Sequence, residues 1–333
     1  MAGVGGGGLH ARRRDGGGRG RLGVIERRVL RFEAPLLEGV ELPAVEARGS
    51  RDGPRVGLIA GIHGCEYASI AALTRFLRQL DAGRLSGSLI AVPIVNVTAF
   101  RARSPFVTPQ DGKNLNRCFP GDPDGTFSDV LAHHVFEQVI RPSDHLIDLH
   151  GGDLVEALEP FTLYDESPVQ QRAHEMAVAF GLRYLIRSER SEAIGGTTSA
   201  AAADAGIPAI IPEAGGCGRM DEASIALHVA GIENTLRALG VLDGEVSPPP
   251  AGMRLVRRFV WLRAPVAGWW DAAVTPSQSV SAGQPLGTLR DPFGDPLHDV
   301  SSPEDGTIMF VTTSPAVAED GILLAVGGGI EPL

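Results

Sequence analysis

The sequence predicts a three-layer α/β domain followed by a small all-β unit, on three observations. Apolar strand-like runs alternate with amphipathic helix-like runs from about residue 24 to residue 242, the pattern of a sheet with helices packed on its faces. The run Ser-Pro-Pro-Pro at 247–250 then breaks the alternation and reads as a stiff linker. Beyond it come short β-type runs divided by Gly and Pro. The expected organisation is a disordered tail over 1–22, the main domain over 23–246, a linker over 247–252 and the β unit over 253–333.

Segments 56–60, 89–95, 146–149, 161–164 and 209–211 are short apolar runs and read as buried strands. Helices are expected at 68–80, 128–140, 169–180 and 221–239. The last has Asp221 at its start and Gly240 just past its end, residue types that cap and stop a helix. In the tail unit, 258–264, 287–290, 307–311 and 322–326 read as strands.

Composition narrows the function classes. With 43% apolar and 21% charged residues the chain can bury a substantial core. A net charge of −10 argues against a nucleic-acid surface. No apolar run approaches the ~20 residues of a membrane span. The first 22 residues hold many glycines and five arginines without an apolar stretch, so they do not read as a secretory signal. Three widely spaced cysteines offer no disulfide framework and suggest a reducing, cytoplasmic setting.

The chemistry concentrates at strand ends. GIHGCE at 61–66 places His63 and Glu66 three residues apart just after strand 56–60. A histidine nitrogen and a carboxylate oxygen suit a divalent metal such as zinc, whose catalytic sites need three protein ligands and leave a position open. The same spacing recurs at His134 and Glu137 inside an amphipathic helix pattern, so spacing alone decides nothing. HLIDLHGG at 145–152 repeats the grammar of the first motif: an apolar strand, His150 at its carboxyl end, then a glycine turn. Open α/β sheets gather ligands at the carboxyl ends of their strands. Asp148 would share a strand face with His150, and either holds the imidazole in place or begins the turn.

A third strand, 209–211, delivers Glu213 beside Gly215 and Gly216. A carboxylate next to a metal site serves as general base for hydrolysis, and that reading is favoured over a solvated loop glutamate. In DGKNLNRCFPG, 111–121, Asn116 and Arg117 stand side by side and suit a substrate carboxylate. Arg101 and Arg103 are expected in a loop after strand 89–95, where either could reach a developing oxyanion.

HGCE, NLNRCFPG, IDLHGG and PEAGG, in this order, resemble the succinylglutamate desuccinylase and aspartoacylase family, a branch of the zinc carboxypeptidase-like amidohydrolases. The likeness runs over roughly 55–330 and is strongest to the deacylase subgroup that includes deacetylases of N-acetylated diamino acids. It implies a mixed sheet and one zinc per chain on His63, Glu66 and His150. It further implies Glu213 as base, Asn116 and Arg117 on a substrate carboxylate, and Arg103, with Arg101 as the alternative, polarising the scissile carbonyl. One position departs from the family pattern. Cys65 stands where Asp or Asn is usual, and since neighbours on an extended segment point apart, it is expected beside the site as an oxidation or mercurial target.

The segment 274–287 looks like the turns of a biotinyl- or lipoyl-type barrel sandwich. A carrier domain needs a lysine for its cofactor, and Lys113 is the chain's only one. A flap limiting access to the metal site, the family's second domain, is the better reading. The expected activity is zinc-dependent removal of an acyl group from a small N-acylated amino acid or related carboxylate. A carboxypeptidase acting on short peptides and a catalytically silent metal-binding protein of the same fold are the alternatives; homo-oligomerisation stays open.

Overall fold

The computed structural model describes residues 23–188 and 195–333; the disordered tail expected over 1–22 lies outside them. Among the described residues, ten strands precede the two C-terminal sheets: β1 (Val24–Leu30), β2 (Leu42–Arg48), β3 (Arg51–Ala60), β4 (Ser86–Val92), β5 (His145–Leu149), β6 (Glu156–Leu158), β7 (Phe161–Asp165), β8 (Tyr184–Ser188), β9 (Ala209–Glu213) and β10 (Arg254–Val256). All except β6 join one large sheet in the order β1-β2-β4-β3-β5-β9-β7-β8-β10, with the short strand Glu331–Pro332 outermost. Strands β4, β3, β5 and β9 run parallel, as do β7, β8 and β10. The β1-β2-β4 edge and the β7–β9 pair are antiparallel, so the sheet is mixed.

Side-chain alternation along the strands builds the layers. Val56, Leu58 and Ala60 of β3 pack into one core with Leu149 of β5. The helices α1 (Tyr67–Gln79), α4 (Gln170–Phe180) and α6 (Glu222–Ala238) cover that face through Leu73, Phe76, Met176, Phe180 and Ile232. Ile59, one residue out of phase, joins Ile90, Val92 and Leu146 in a second core on the opposite face. There α3 (Phe127–Val135) and α5 (Thr198–Asp204) close it with Val130, Leu131, Val135, Ala201 and Ala202.

Two expectations change, and one pair of strands was not expected. The helix expected over 128–140 is α3 continued by a π-helical turn, Phe136–Ile140. The loop expected to carry Arg101 and Arg103 is partly helical. Asn96 accepts a hydrogen bond from the Ala99 N–H at 3.0 Å and so caps α2 (Val97–Ala102), which holds Arg101 in its last turn. Arg103 ends that helix in the left-handed conformation, at φ 54°. The edge hairpin β1–β2 was not visible in the strand pattern, because β1 is almost wholly exposed and lacks period-two alternation.

After 247–252 the chain first returns to the large sheet as β10 and then forms two smaller sheets. One contains Arg258–Arg263, Ile322–Gly328, Gly306–Thr312 and Ser279–Val280; the other Pro296–Ser301, Pro285–Arg290, Gly268–Ala272 and Ala316–Val317. Trp270, Leu286, Leu289, Ile308 and Leu324 fill the core between them. Strand β6, which follows the His150 turn, pairs antiparallel with Gly306–Thr312 and fastens this unit to the turn. Among the described residues, no helix is long and apolar enough to cross a membrane.

Candidate metal centre and active site

The carboxyl ends of β3, β5 and β9 lie side by side, and each brings its own residue. Gly61 turns the chain out of β3 at φ +67°, a conformation that a side chain would strain. At Gly64 a Cβ would lie 2.2 Å from the Phe100 backbone nitrogen, so only glycine lets this turn rest on α2. Glu66 occupies the N-cap position of α1 but makes no side-chain cap. Its carboxylate turns away from the free N–H groups of the helix and faces two imidazoles instead.

One Glu66 oxygen lies 2.6 Å from His63 Nδ1, and the other 3.1 Å from His150 Nδ1. One ligand atom from each of the three residues falls within 4.8 Å of the others, and all three side chains are buried. The far side of each ring is also held. His63 Nε2 lies 3.1 Å from Asn114 Oδ1, which already accepts the Asn116 N–H at 2.8 Å. His150 Nε2 lies 3.0 Å from Asp148 Oδ2. Both Nε2 atoms face acceptors that can hold the hydrogen there, which leaves both Nδ1 atoms, each beside a Glu66 oxygen, to offer a lone pair to a bound cation. Two nitrogens and a carboxylate oxygen, with both rings fixed from behind, fit a divalent metal with an open position. Of the two roles open to Asp148, the geometry supports the hold on His150.

The same contacts shift the ionisation of both partners. Burial pushes the Glu66 carboxyl up, but His150 and His63 outweigh it and bring it to about 2. Burial works against a charged His150, yet Asp148 and Glu66 raise it well above the ordinary imidazole range. Glu213 ends β9 one bridge from His150, with the His150 N–H donating to the Pro212 carbonyl at 2.9 Å and the Ala214 N–H to the His150 carbonyl at 3.2 Å. Its burial, reinforced by the Glu66, Glu156 and Asp148 carboxylates, lifts its carboxyl well above the usual range. A carboxyl in that state is ready to hold a proton beside the site.

The remaining candidates take clear positions. Asn116 is buried, and its Oδ1 accepts the Thr198 N–H at 3.0 Å. The Arg117 guanidinium donates to the Asn116 carbonyl at 2.7 Å. Arg101 and Arg103 are exposed, and their guanidinium groups make no hydrogen bond or ion pair among the described residues. Cys65 is not an accessible thiol. It is fully buried, near the Ser104 carbonyl at 3.6 Å and the Tyr67 hydroxyl at 3.7 Å, and burial raises its pKa. Such a thiol lacks both the access and the thiolate character that oxidation and mercurials require.

Sequence reasoning missed Asn114, Phe106, Thr198 and His228. Asn114 sits in the NLNR motif, but its contact with His63 spans 51 residues and is purely tertiary. Phe106, at φ 58°, packs its ring 5.6 Å from that of His63, while its N–H donates to the buried Asp153 carboxylate at 2.7 Å. From α6, His228 places Nε2 3.1 Å from the Ala214 carbonyl, beneath the turn after Glu213.

Comparison with known proteins identifies the family. The succinylglutamate desuccinylase/aspartoacylase catalytic domain matches residues 52–239. An N-alpha-acetyl-L-2,4-diaminobutyric acid deacetylase from Halomonas elongata is 35% identical over 201 residues, spanning 60% of this chain and 58% of that protein. Among solved structures, a succinylglutamate desuccinylase/aspartoacylase from Rhodobacter sphaeroides superposes with a TM-score of 0.81 at 26% identity, over 94% of this chain and 96% of that one. The product-bound ectoine utilization protein EutE (DoeB) from Ruegeria pomeroyi shares the fold at TM-score 0.81 and 24% identity, over 92% and 96%. With more than half of its length matched to that catalytic domain, the chain belongs to the succinylglutamate desuccinylase/aspartoacylase family, whose named activities are hydrolyses of amide bonds.

Proposed function

We propose that this protein is a zinc-dependent amidohydrolase that removes the acyl group from a small N-acylated amino acid. The observation that carries the reading is the buried set of His63, Glu66 and His150 donor atoms with Glu213 on the adjacent strand end. Zinc held by those three residues would supply Lewis acidity to a water molecule and to the scissile carbonyl. Glu213, bridged to His150 at the adjacent strand end, takes the proton of the attacking water. The water oxygen bonds to the carbonyl carbon and the C–N bond breaks. Glu213 passes its proton to the departing amine, and the acyl group leaves as a carboxylate. Asn116 and Arg117 bind the substrate's carboxylate, and Arg103 steadies the charge on the carbonyl oxygen.

The deacetylase named among the relatives supports an N-acetylated diamino acid as the substrate class. The C-terminal β unit, fastened to the His150 turn through β6, acts as a flap over the site. We assign the protein to the cytoplasm. Metal analysis, followed by a panel of N-acetyl and N-succinyl amino acids and their carboxamides with and without chelator, tests the reading. Chelator-sensitive release of amine from the free acids is expected. Metal-free protein with full activity would overturn it, and equal rates on acids and carboxamides would remove Asn116 and Arg117 from substrate binding.

A further inference from the structure

We propose that Thr198 is a positioning residue that ties the His150 side of the centre to the Asn116 turn. This rests on the metal-site reading above.

The segment GGTT at 195–198 ends in two threonines with different duties. Thr197 is the N-cap of α5, accepting the Ala200 N–H at 3.1 Å. The helix therefore makes no demand on the hydroxyl of Thr198. That hydroxyl, on a wholly buried residue, donates to Asp148 Oδ2 at 2.5 Å. The Thr198 backbone N–H donates to Asn116 Oδ1 at 3.0 Å. One residue thus holds a carboxylate that orients a candidate metal ligand and an amide that belongs to the candidate substrate turn. The Gly196 carbonyl adds a third tie, accepting the Phe119 N–H at 2.9 Å.

Asp148 depends on this contact more than an ordinary carboxylate would. It is wholly buried, and its Oδ1 has no hydrogen-bond partner among the described residues. Its Oδ2 is shared between His150 Nε2 and the Thr198 hydroxyl. Without the hydroxyl, a buried carboxylate would keep only the imidazole it is meant to orient, and both could rotate together. Groups that orient metal ligands typically change metal affinity 10–100-fold when removed. Thr198 lies one bond further out, which places its effect near the lower end.

The test compares Thr198→Val, which keeps the shape and the backbone N–H but loses the hydroxyl, with Thr198→Ser, which keeps both donors. Zn²⁺ affinity is measured on metal-stripped protein by chelator competition, with circular dichroism and melting as fold controls. The valine variant should bind Zn²⁺ about tenfold more weakly and lose kcat more than it gains in KM, because Asn116 keeps its N–H partner. The serine variant should stay within about twofold of the parent. If the valine variant does not fold, alanine at the same position, which adds no methyl against Asp148, takes its place in the contrast. Parent and hydroxyl-less variant binding Zn²⁺ equally tightly would overturn this proposal alone. A parent that binds no Zn²⁺ would overturn the metal-site reading, and this proposal with it.

Discussion

The chain contains two histidine–glutamate pairs of identical spacing, and the fold treats them in opposite ways. His63 and Glu66 stand in the turn between β3 and α1, 8% and 4% exposed, with Glu66 shared between His63 and His150. His134 and Glu137 lie on α3 and the π-helical turn after it. Residues three apart on a helix are neighbours, so this second pair could have met. Instead Glu137 turns outward to Arg141 at 2.8 Å, and His134 stacks on Phe32 with ring centroids 5.0 Å apart. The difference lies in what else arrives. At the carboxyl ends of parallel strands, turns remote in sequence converge, so β5 and β9 add His150 and Glu213. A helix surface offers only its own neighbours and water. Convergence, more than spacing, makes the candidate site.

The sharpest way to break this comparison is to remove one histidine from each setting. His150→Ala should release most of the metal and abolish turnover, whereas His134→Ala should retain about one ion per chain; metal analysis after dialysis decides. Full retention in the His150 variant would sink the ligand assignment. Next in size is Glu213→Gln, which should keep the metal and lose roughly 10²–10⁴ in kcat, the range credited to a positioned acid–base group. Normal turnover in that variant would place the base elsewhere.

Much of this was legible in the sequence, for a physical reason. The carboxyl-terminal half of β3 and most of β5 and β9 are buried on both faces, so they read as apolar runs, and a ligand-type residue followed by glycine stands out against that background. The mixed direction of the sheet came from the family resemblance, because strand order leaves no local trace. Elements without a local signature were invisible. The exposed strand β1 has no alternation, α2 has only six residues, and β6 exists because it pairs with Gly306–Thr312. The supports of the site were equally hidden. Asn114 and Thr198 are ordinary polar residues until folding sets one beside His63 and the other beside Asp148.

His228 extends the comparison to a buried histidine whose ring is hydrogen-bonded to a backbone carbonyl and, among the described residues, is paired with no carboxylate. Burial lowers its pKa to about 4, against the ordinary 6.5. As pH falls below 6.5 the unfolded chain takes up this proton while the folded one does not, so the unfolded state binds more protons and stability is lost. The loss grows from about pH 6.5 and is complete near pH 4, on the order of 3 kcal/mol. His228→Gln, whose amide can still donate toward the Ala214 carbonyl, should flatten that acid arm. Urea midpoints at pH 7, 5 and 4 measure it, and parallel curves for the two proteins would show that His228 contributes nothing to the pH dependence.

The smallest expected effect is the most discriminating between the two pairs. Glu137 and Arg141 are four residues apart, and their side chains are 38% and 57% exposed. Water screens such a pair, and holding two long side chains together costs entropy, so its worth is about 0.3–0.5 kcal/mol. Glu137→Ala should therefore shift the urea midpoint barely beyond error and leave the metal in place. Glu66→Ala removes the carboxylate that two buried imidazoles face, and it should cost both the metal and the relative placement of His63 and His150. If Glu137→Ala lowered metal content as Glu66→Ala does, spacing would have been the operative feature after all, and convergence at the sheet edge would lose its explanatory role.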